Sequence, residues 1–155
     1  MIIFTKSEKE TEAAGAAFAS KLPDGAVAAL YGDLGAGKTA FVRGMARGMG
    51  IDAHVSSPTF TIVNEYFNAP SLRGGAPEGG NSGSRILCHF DMYRLGGADE
   101  LFDIGWEDYL RRGAVCAVEW SEHVEDAFEG DEIKVRIEKL SDSERKIEIE
   151  DKQPC

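Results

Sequence analysis

The chain has 155 residues, of which 43% are hydrophobic, and its 27 acidic against 17 basic side chains give a formal net charge of -10. That length and hydrophobic content suit one domain with a packed core and exclude two independent ones. The acidic balance disfavours a protein that holds nucleic acid through its own phosphate contacts, because such contacts need clustered Lys and Arg. Any contact with RNA is therefore expected to be indirect.

The N-terminus and the cysteines bear on the compartment. The N-terminal residues lack the basic start and long apolar run of a signal peptide, and no stretch approaches the ~18 apolar residues that cross a membrane. Cys88, Cys116 and Cys155 are odd in number, lie far apart and have no metal-ligand spacing, which favours reduced thiols. These features predict a soluble, cytoplasmic protein without a membrane contact.

The first predicted elements are a strand and a helix. A short apolar run at residues 2–4 indicates the strand. Ser7 and Glu10 have the spacing of a capping box, in which the two side chains pair backbone N–H groups at the start of a helix. The helix is predicted to continue to about Lys21, with an inward stripe of Ala residues and Phe18.

The stretch "YGDLGAGKTAFVRG", residues 31–44, has the spacing of a phosphate-binding loop. Gly32 is followed by four residues and then by Gly37, Lys38 and Thr39. In such a loop the lysine reaches the β- and γ-phosphate oxygens, and the following hydroxyl can coordinate Mg²⁺. The residues predicted to bind nucleotide here are Asp33, Leu34, Gly35, Ala36, Gly37, Lys38, Thr39 and Ala40.

The elements around this loop have the order that a phosphate site requires. The run "AVAALY", residues 26–31, is bounded by glycines and indicates a strand buried on both faces of a sheet. A helix is predicted from about Lys38 to Met49, ending at Gly50. The context is therefore strand, glycine-rich loop and helix.

Two acidic residues follow later strands of the chain. Asp91 closes "ILCHF" and Glu119 closes "AVCAV". Ligands bind at the carboxyl ends of strands in an open α/β sheet, and the phosphate loop also follows such an end. We expect both carboxylates to converge with Lys38 and Thr39 on one metal-nucleotide, one as a metal ligand and one orienting the attacking water. A surface acid that caps the following turn is the alternative for either residue.

The remaining segments complete the predicted fold. Residues 56–67 indicate a loop entering a strand, 68–84 a flexible Gly/Pro-rich loop without chemistry, and 98–112 a short helical region. Alternation of apolar and charged residues near 131–150 indicates an antiparallel hairpin with one wet face. Together these elements predict an α/β fold, a three-layer α/β/α P-loop NTPase domain with a mixed sheet and a C-terminal hairpin, over residues 1–155.

Other polar residues carry less signal. His89 alternates along its strand, and His54 and His123 are isolated, so packing or surface roles are expected for all three. Arg111 and Arg112 are too few for a nucleic-acid patch and indicate a solvated helix end.

Five blocks carry a resemblance to a known family. "GDLGAGKTAFVRG", "SSPTFTIVNEY", "HFDMYRL", "LFDIGWEDYL" and "AVEWSE", in that order and spacing, resemble the bacterial TsaE family of tRNA threonylcarbamoyladenosine biosynthesis ATPases. The likeness covers nearly the whole chain; the loop block alone fits many NTPases, whereas the other blocks together are specific. The chain departs from the family in its longer segment at 68–84 and in Ser121, where the family often has Pro.

The resemblance implies a small ATPase that works with TsaB and TsaD to place a threonylcarbamoyl group on adenosine 37 of tRNAs reading codons that begin with A. In the family TsaD performs the transfer, and ATP hydrolysis by the small subunit keeps the complex turning over. The threonylcarbamoyl-adenylate that supplies the group is made by a separate enzyme. This division of labour agrees with an acidic protein that contacts tRNA only indirectly.

The resemblance also assigns residues to ATP and Mg²⁺. Thr39 and Glu119 match the Mg²⁺ ligands, and Asp91 matches the strand-end acid, which is also a candidate at the metal. Thr59 matches a switch-like threonine near the γ-phosphate, and Trp120 an aromatic beside the active site. Thr11 and Arg145 are candidates for the adenine side. The residues expected to take part in hydrolysis are Lys38, Asp91, Glu119 and Thr59.

Three other function classes are alternatives to an ATPase. A small-molecule kinase needs an acceptor pocket and usually an Arg-bearing lid, and the long insertion carries a single arginine, Arg73. A GTPase needs an Asn-Lys-x-Asp guanine reader, which the chain lacks. A nucleotide-gated scaffold without significant hydrolysis stays open, because sequence does not distinguish binding from turnover.

Overall fold

The computed structural model describes residues 1–58, 61–68 and 85–150. Within them the strands are β1 Ile2–Thr5, β2 Val27–Tyr31, β3 Val63–Phe67, β4 Ile86–Asp91, β5 Val115–Glu119, β6 Ile133–Lys139 and β7 Arg145–Glu150. The helices are α1 Glu8–Ala19, α2 Lys38–Gly48, α3 Ala98–Asp103 and α4 Trp106–Arg111, with short 3-10 helices at Ser121–His123 and Glu125–Ala127. Thr59, residues 69–84 and Cys155 lie outside the described residues, so the predictions about them stay predictions.

The strands form one mixed sheet in the order β1-β7-β6-β2-β5-β4-β3. The four central strands, β6, β2, β5 and β4, are parallel to one another. At one edge β7 runs antiparallel to β6 and β1, and at the other β3 runs antiparallel to β4. The predicted mixed sheet and C-terminal hairpin are both confirmed.

Helices cover both faces of this sheet. The face that carries Ala28 and Leu30 packs against α1 and α2, and the opposite face packs against α3 and α4. β2 and β5 are buried along their whole length, as continuous apolar runs in central parallel strands require. The predicted three-layer α/β/α arrangement is therefore confirmed.

The start of α1 follows the predicted cap. The Ser7 hydroxyl accepts a hydrogen bond from the backbone N–H of Glu10 at 3.1 Å. The carboxylate of Glu10 accepts from the N–H of Lys6, one residue before the position that a standard capping box would use. The helix ends at Ala19, slightly before the predicted Lys21.

A close contact between α1 and α2 depends on a glycine. An ideal Cβ added to Gly44 would lie 1.9 Å from the carbonyl oxygen of Glu12, so a side chain there forces the two backbones apart. Beside this contact, Arg43 pairs with Glu8 at 2.8 Å and with Glu12 at 2.9 Å. These contacts hold α2, and the loop at its start, against α1.

The predicted helical region at 98–112 is divided in two. Gly105 has a φ of 94°, which ends α3 and starts α4 in a new direction. The turn places Trp106 against Phe90, with ring centroids 5.2 Å apart in an edge-to-face arrangement.

Two further findings concern the cysteines and the membrane. Cys88 and Cys116 are buried and free, as expected of reduced thiols. Within the described part of the chain, no helix is long and apolar enough to cross a membrane.

Candidate functional site

The glycine-rich loop joins β2 to α2 at the carboxyl end of the parallel strands. Gly37, with a φ of 108°, is the N-cap of α2 and has no side chain that could occupy the helix start. The first N–H groups of an α-helix lack intrahelical partners and favour an anion. The loop therefore has the shape and polarity of a phosphate cradle.

Lys38 is buried at the start of α2 and is 5% exposed. Its ammonium donates a hydrogen bond to the carbonyl oxygen of Gly32 at 2.6 Å and lies 3.6 Å from the centre of the Trp120 ring. Burial lowers the pKa of Lys38, and the charges of Glu119 and other nearby acids oppose that shift. The lysine is thus held beside the loop.

The two predicted acids lie side by side. Asp91 and Glu119 are Cα partners at the ends of the neighbouring parallel strands β4 and β5. The Thr39 hydroxyl donates to Oε1 of Glu119 at 3.2 Å. The structure thus brings the loop hydroxyl and both strand-end carboxylates to one place.

Glu119 is buried and anchored at both oxygens. Besides Thr39, it contacts Nε2 of His89 through Oε2 at 2.8 Å. Burial raises the pKa of Glu119, but the hydrogen bond from His89 and the charges of His89 and Lys38 outweigh it, so the pKa lies below its usual value. The carboxylate is therefore ionised at neutral pH and can act as a metal ligand.

Asp91 caps a turn and also faces the site. Its Oδ1 accepts from the backbone N–H of Tyr93 at 3.0 Å, which is the turn-capping alternative considered from the sequence. Its Oδ2 accepts from the hydroxyl of Ser57 at 3.0 Å. The two interpretations of this residue are therefore compatible, because each oxygen has a different partner.

Sequence reasoning missed two residues of this cluster. Ser57 lies between the acids, with its hydroxyl also 3.5 Å from Oε2 of Glu119. Its place before Pro58, in the same block as Thr59, was the available signal. A packing or surface role was expected for His89, whereas it is buried and its ring contacts Glu119 directly. No spacing along the chain joins the two, because they are on different strands.

A cavity of about 680 Å³ opens beside the loop, within the size range of small-molecule sites. It is lined by Ser7, Glu8, Thr11, Leu34, Gly35, Ala36, Gly37, Lys38, Thr39, Ala40, Arg43, Ser57, Asp91, Tyr93, Glu119, Trp120, Asp142, Ser143 and Arg145. Of the predicted nucleotide-binding residues, Asp33 is not in this lining; its backbone carbonyl accepts from the N–H of Ala36 within the loop. Leu34 is 88% exposed at the rim.

The predicted adenine-side residues lie on the wall formed by α1 and the β6–β7 turn. Arg145 donates to the loop carbonyls of Ala36 at 2.8 Å and Gly35 at 3.3 Å. The hydroxyls of Thr11 and Thr5 share a hydrogen bond of 2.8 Å. Arg145 thus ties the C-terminal hairpin to the glycine-rich loop.

Trp120 follows Glu119 in a left-handed backbone conformation, with a φ of 58°. Its ring centre lies 5.0 Å from that of Tyr93 and 5.9 Å from that of His123. This conformation directs the ring over Lys38 at the mouth of the cavity.

Some side chains of the site are of the kinds that bind metal ions. Among the described residues no group of three His, Cys, Asp or Glu side chains could hold an ion. The site offers carboxylates and hydroxyls, and Mg²⁺ is usually bound by one or two carboxylates together with phosphate oxygens and water. These residues therefore fit Mg²⁺ as part of a metal-nucleotide.

Comparison with known proteins identifies the family of the chain. Residues 5–147 match the family model of the threonylcarbamoyl adenosine biosynthesis protein TsaE. The chain belongs to the TsaE family. The resemblance drawn from the sequence blocks is confirmed.

Curated relatives and a solved structure cover most of the chain. A TsaE protein of Bacillus subtilis is 38% identical over 92% of this chain and 80% of its own length. One of Treponema pallidum is 32% identical over 94% of this chain and 96% of its own. The crystal structure of YdiB from Bacillus subtilis superposes with a TM-score of 0.72 at 33% identity, over 95% of this chain and 82% of that one.

Proposed function

We propose that this protein is a Mg²⁺-dependent ATPase that acts with TsaB and TsaD in the cytoplasm to support threonylcarbamoyl modification of adenosine 37 in tRNAs reading codons that begin with A. One observation carries the proposal. The glycine-rich loop, the buried Lys38, the Thr39 hydroxyl and the paired carboxylates meet around a single cavity. Membership of the TsaE family supports the pathway, and the net charge of -10 supports leaving tRNA contact to the partners.

The loop and α2 would hold the phosphates of ATP. The N–H groups at the start of α2 and the ammonium of Lys38 are positive groups beside the cavity that could hold an anion. Lys38 would exchange its hydrogen bond to the carbonyl of Gly32 for one to a phosphate oxygen. Burial lowers the pKa of Lys38, and the charges of Glu119 and other nearby acids oppose that shift in favour of the charged form that this role requires.

Thr39 and Glu119 would hold Mg²⁺, since both are oxygen donors and they already contact each other. The bound ion would neutralise charge on the β- and γ-phosphate oxygens. Asp91 is the better candidate to orient water. It faces the cavity beside Glu119, and its Oδ2 meets the hydroxyl of Ser57. Thr11, Arg145 and the Trp120 ring would line the remaining part of the nucleotide.

Turnover by the isolated chain is expected to be weak. Hydrolases of this type gain much of their rate from an arginine that reaches the transferring phosphate. Of the arginines lining the cavity, Arg43 is paired with Glu8 and Glu12, and Arg145 is hydrogen-bonded to loop carbonyls. Partners that complete the site would therefore raise the rate.

The decisive experiment measures phosphate release from ATP by the chain alone and with TsaB and TsaD. We expect slow release that requires Mg²⁺, rises with both partners and is lost in Lys38→Ala. Lys9→Ala, an exposed lysine of α1, is the matched control and should behave as the wild type. If wild type and Lys38→Ala release phosphate equally in every mixture, the ATPase proposal is wrong. If ATP binds but none of the mixtures releases phosphate, the nucleotide-gated scaffold is favoured instead.

A further inference from the structure

His89 is a fully buried histidine in the middle of a strand that leads to the site. It is 0% exposed on β4, two residues before Asp91. Cys88 and Phe90, its neighbours in sequence, face the core under α3 and α4. His89 therefore faces the α1 and α2 side, on the same face of the strand as Asp91.

The polar contact of the ring is directed at Glu119. Nε2 lies 2.8 Å from Oε2 of that carboxylate. An ionised carboxylate accepts hydrogen bonds only, so Nε2 carries the proton and donates it. Nδ1 is buried and has no hydrogen-bond partner among the described residues. A buried polar ring with a single satisfied nitrogen is a costly way to fill a core, and its one bond acts on a residue of the site.

The register of the sheet explains why this bond is possible. Ala117 is the Cα partner of His89, and Glu119 is the partner of Asp91. His89 and Glu119 are therefore diagonal neighbours on one face of two parallel strands. The small side chain of Ala117 leaves room for the imidazole to reach across to the end of β5.

The bond removes freedom from a flexible side chain. A glutamate has three rotatable side-chain bonds, and a strand end does not by itself select one rotamer. Here Thr39 contacts Oε1 and His89 contacts Oε2, so the carboxylate is held from two sides. We propose that His89 is a positioning residue: it orients Glu119 toward Thr39 and thereby sets the affinity of the site for Mg²⁺. This inference rests on the proposed function of Glu119 as a metal ligand.

A purely structural histidine would behave differently. Its loss would lower stability without changing how nucleotide binding depends on Mg²⁺. Groups that hold a metal-ligating carboxylate typically contribute 10–100-fold to metal affinity or activity. Mg²⁺ dependence of binding, measured without turnover, is therefore the readout that separates the two roles.

The test compares His89→Gln with His89→Asn. The glutamine amide can place an N–H near the position of Nε2, whereas the asparagine amide is too short and corresponds to Nδ1. Both variants are polar and similar in the cost of burial. Phe90→Leu, on the opposite face of the same strand, is the control for a weakened core that leaves Glu119 untouched.

The affinity for a fluorescent, non-hydrolysable ATP analogue is first measured in excess EDTA. Mg²⁺ is then titrated, and the enhancement of analogue binding is followed. Urea unfolding of each protein gives its stability. We expect affinity in EDTA to stay within about twofold of the wild type, since His89 does not line the cavity. For His89→Asn the Mg²⁺ concentration at half-maximal enhancement should rise about 10–100-fold, and for His89→Gln it should stay near the wild-type value.

Either of the following results overturns this inference and leaves the proposed function standing. One is that His89→Asn keeps the wild-type Mg²⁺ dependence. The other is that the half-maximal Mg²⁺ concentration shifts equally in His89→Asn, His89→Gln and Phe90→Leu. If His89→Asn does not fold, a tenfold or larger shift in a folded His89→Gln would also overturn it. A wild type whose analogue binding ignores Mg²⁺ overturns this inference and the Mg²⁺ part of the proposed function together.

Discussion

The two faces of the central sheet bury different chemistry. The buried core cluster under α3 and α4 consists of apolar and cysteine side chains, with Phe90 in edge-to-face contact with both Trp106 and Tyr109. The face under α1 and α2 is apolar at one end and polar at the carboxyl end, where His89 and Glu119 are buried. Burying a polar group is costly unless it has a hydrogen-bond partner. The face under α1 and α2 therefore has less apolar packing at its carboxyl end, but its polar side chains are held in fixed positions by their partners.

Substitutions on the two faces should therefore affect different properties of the protein. Changes on the α3 and α4 face should lower stability and leave the chemistry of each folded molecule intact. Changes at the polar end of the other face should alter binding or turnover at a modest cost in stability. Each prediction below tests one side of that division.

The largest expected effect is on the apolar face. Trp106→Ala removes a side chain that is 2% exposed, which should lower the free energy of unfolding by about 3–5 kcal/mol. Urea unfolding followed by circular dichroism measures this loss. ATP turnover per folded molecule should match the wild type, and Trp106→Phe extends the test if the alanine variant does not fold. A turnover defect larger than the loss of folded protein would break the division between the faces.

The second-largest expected effect distinguishes the roles of the two carboxylates, Asp91 and Glu119. Asp91→Ala should lose about 10²-fold or more in turnover, with nucleotide affinity much less changed, because a water-orienting group acts in the transition state. Glu119→Ala should instead weaken Mg²⁺-dependent ATP binding, and hydrolysis with it. The measurements are nucleotide titrations with and without Mg²⁺ and phosphate release at saturating ATP. Both variants should fail to support tRNA modification.

Asp91→Asn is the matched variant, because its amide oxygen can still accept from the N–H of Tyr93 and preserve the turn. It should lose turnover like Asp91→Ala while unfolding like the wild type. Normal ATP hydrolysis by a folded Asp91→Ala would mean that this acid is a turn cap alone.

A third effect tests the packing that holds α2. Gly44→Ala should lower the free energy of unfolding by about 1–3 kcal/mol, because the added Cβ would lie 1.9 Å from the carbonyl oxygen of Glu12. Gly97→Ala is the control, since no atom lies within 4 Å of the corresponding Cβ. Equal stability of the two variants by urea unfolding would show that α1 and α2 separate without cost.

The smallest expected effect concerns Ser57. Ser57→Ala removes the hydroxyl that bonds Oδ2 of Asp91 at 3.0 Å, a contribution on the order of 1 kcal/mol or a few-fold in turnover. Ser56→Ala is the control, because Ser56 is exposed and does not line the cavity. The measurement is phosphate release at saturating ATP and Mg²⁺. Equal rates of phosphate release for the two variants would show that the Ser57 hydroxyl does not contribute to turnover.

Local patterns predicted much of the fold. The glycine spacing and the runs around it placed the loop between β2 and α2, and Ser7 placed the start of α1. The region at 98–112 was harder, because Gly105 divides it through a backbone angle that the apolar pattern does not reveal. The candidate site divided in a similar way: the glycine-rich loop and the strand-end acids were predicted to lie together, whereas Ser57 and His89 were given no part in the site although both stand in the quoted blocks.

What the sequence by itself determined is therefore the set of chemical groups: a glycine-rich loop with Lys38 and Thr39, two strand-end acids and an acidic net charge. Those signals are local, since they depend on spacing within one loop or at one strand end. The tertiary structure alone decided which groups touch. His89 meets Glu119 because β4 and β5 are parallel neighbours in a particular register, and Ser57 meets Asp91 across 34 residues of chain. Strand order and register arise from packing over the whole sheet, so no short segment of sequence encodes those contacts.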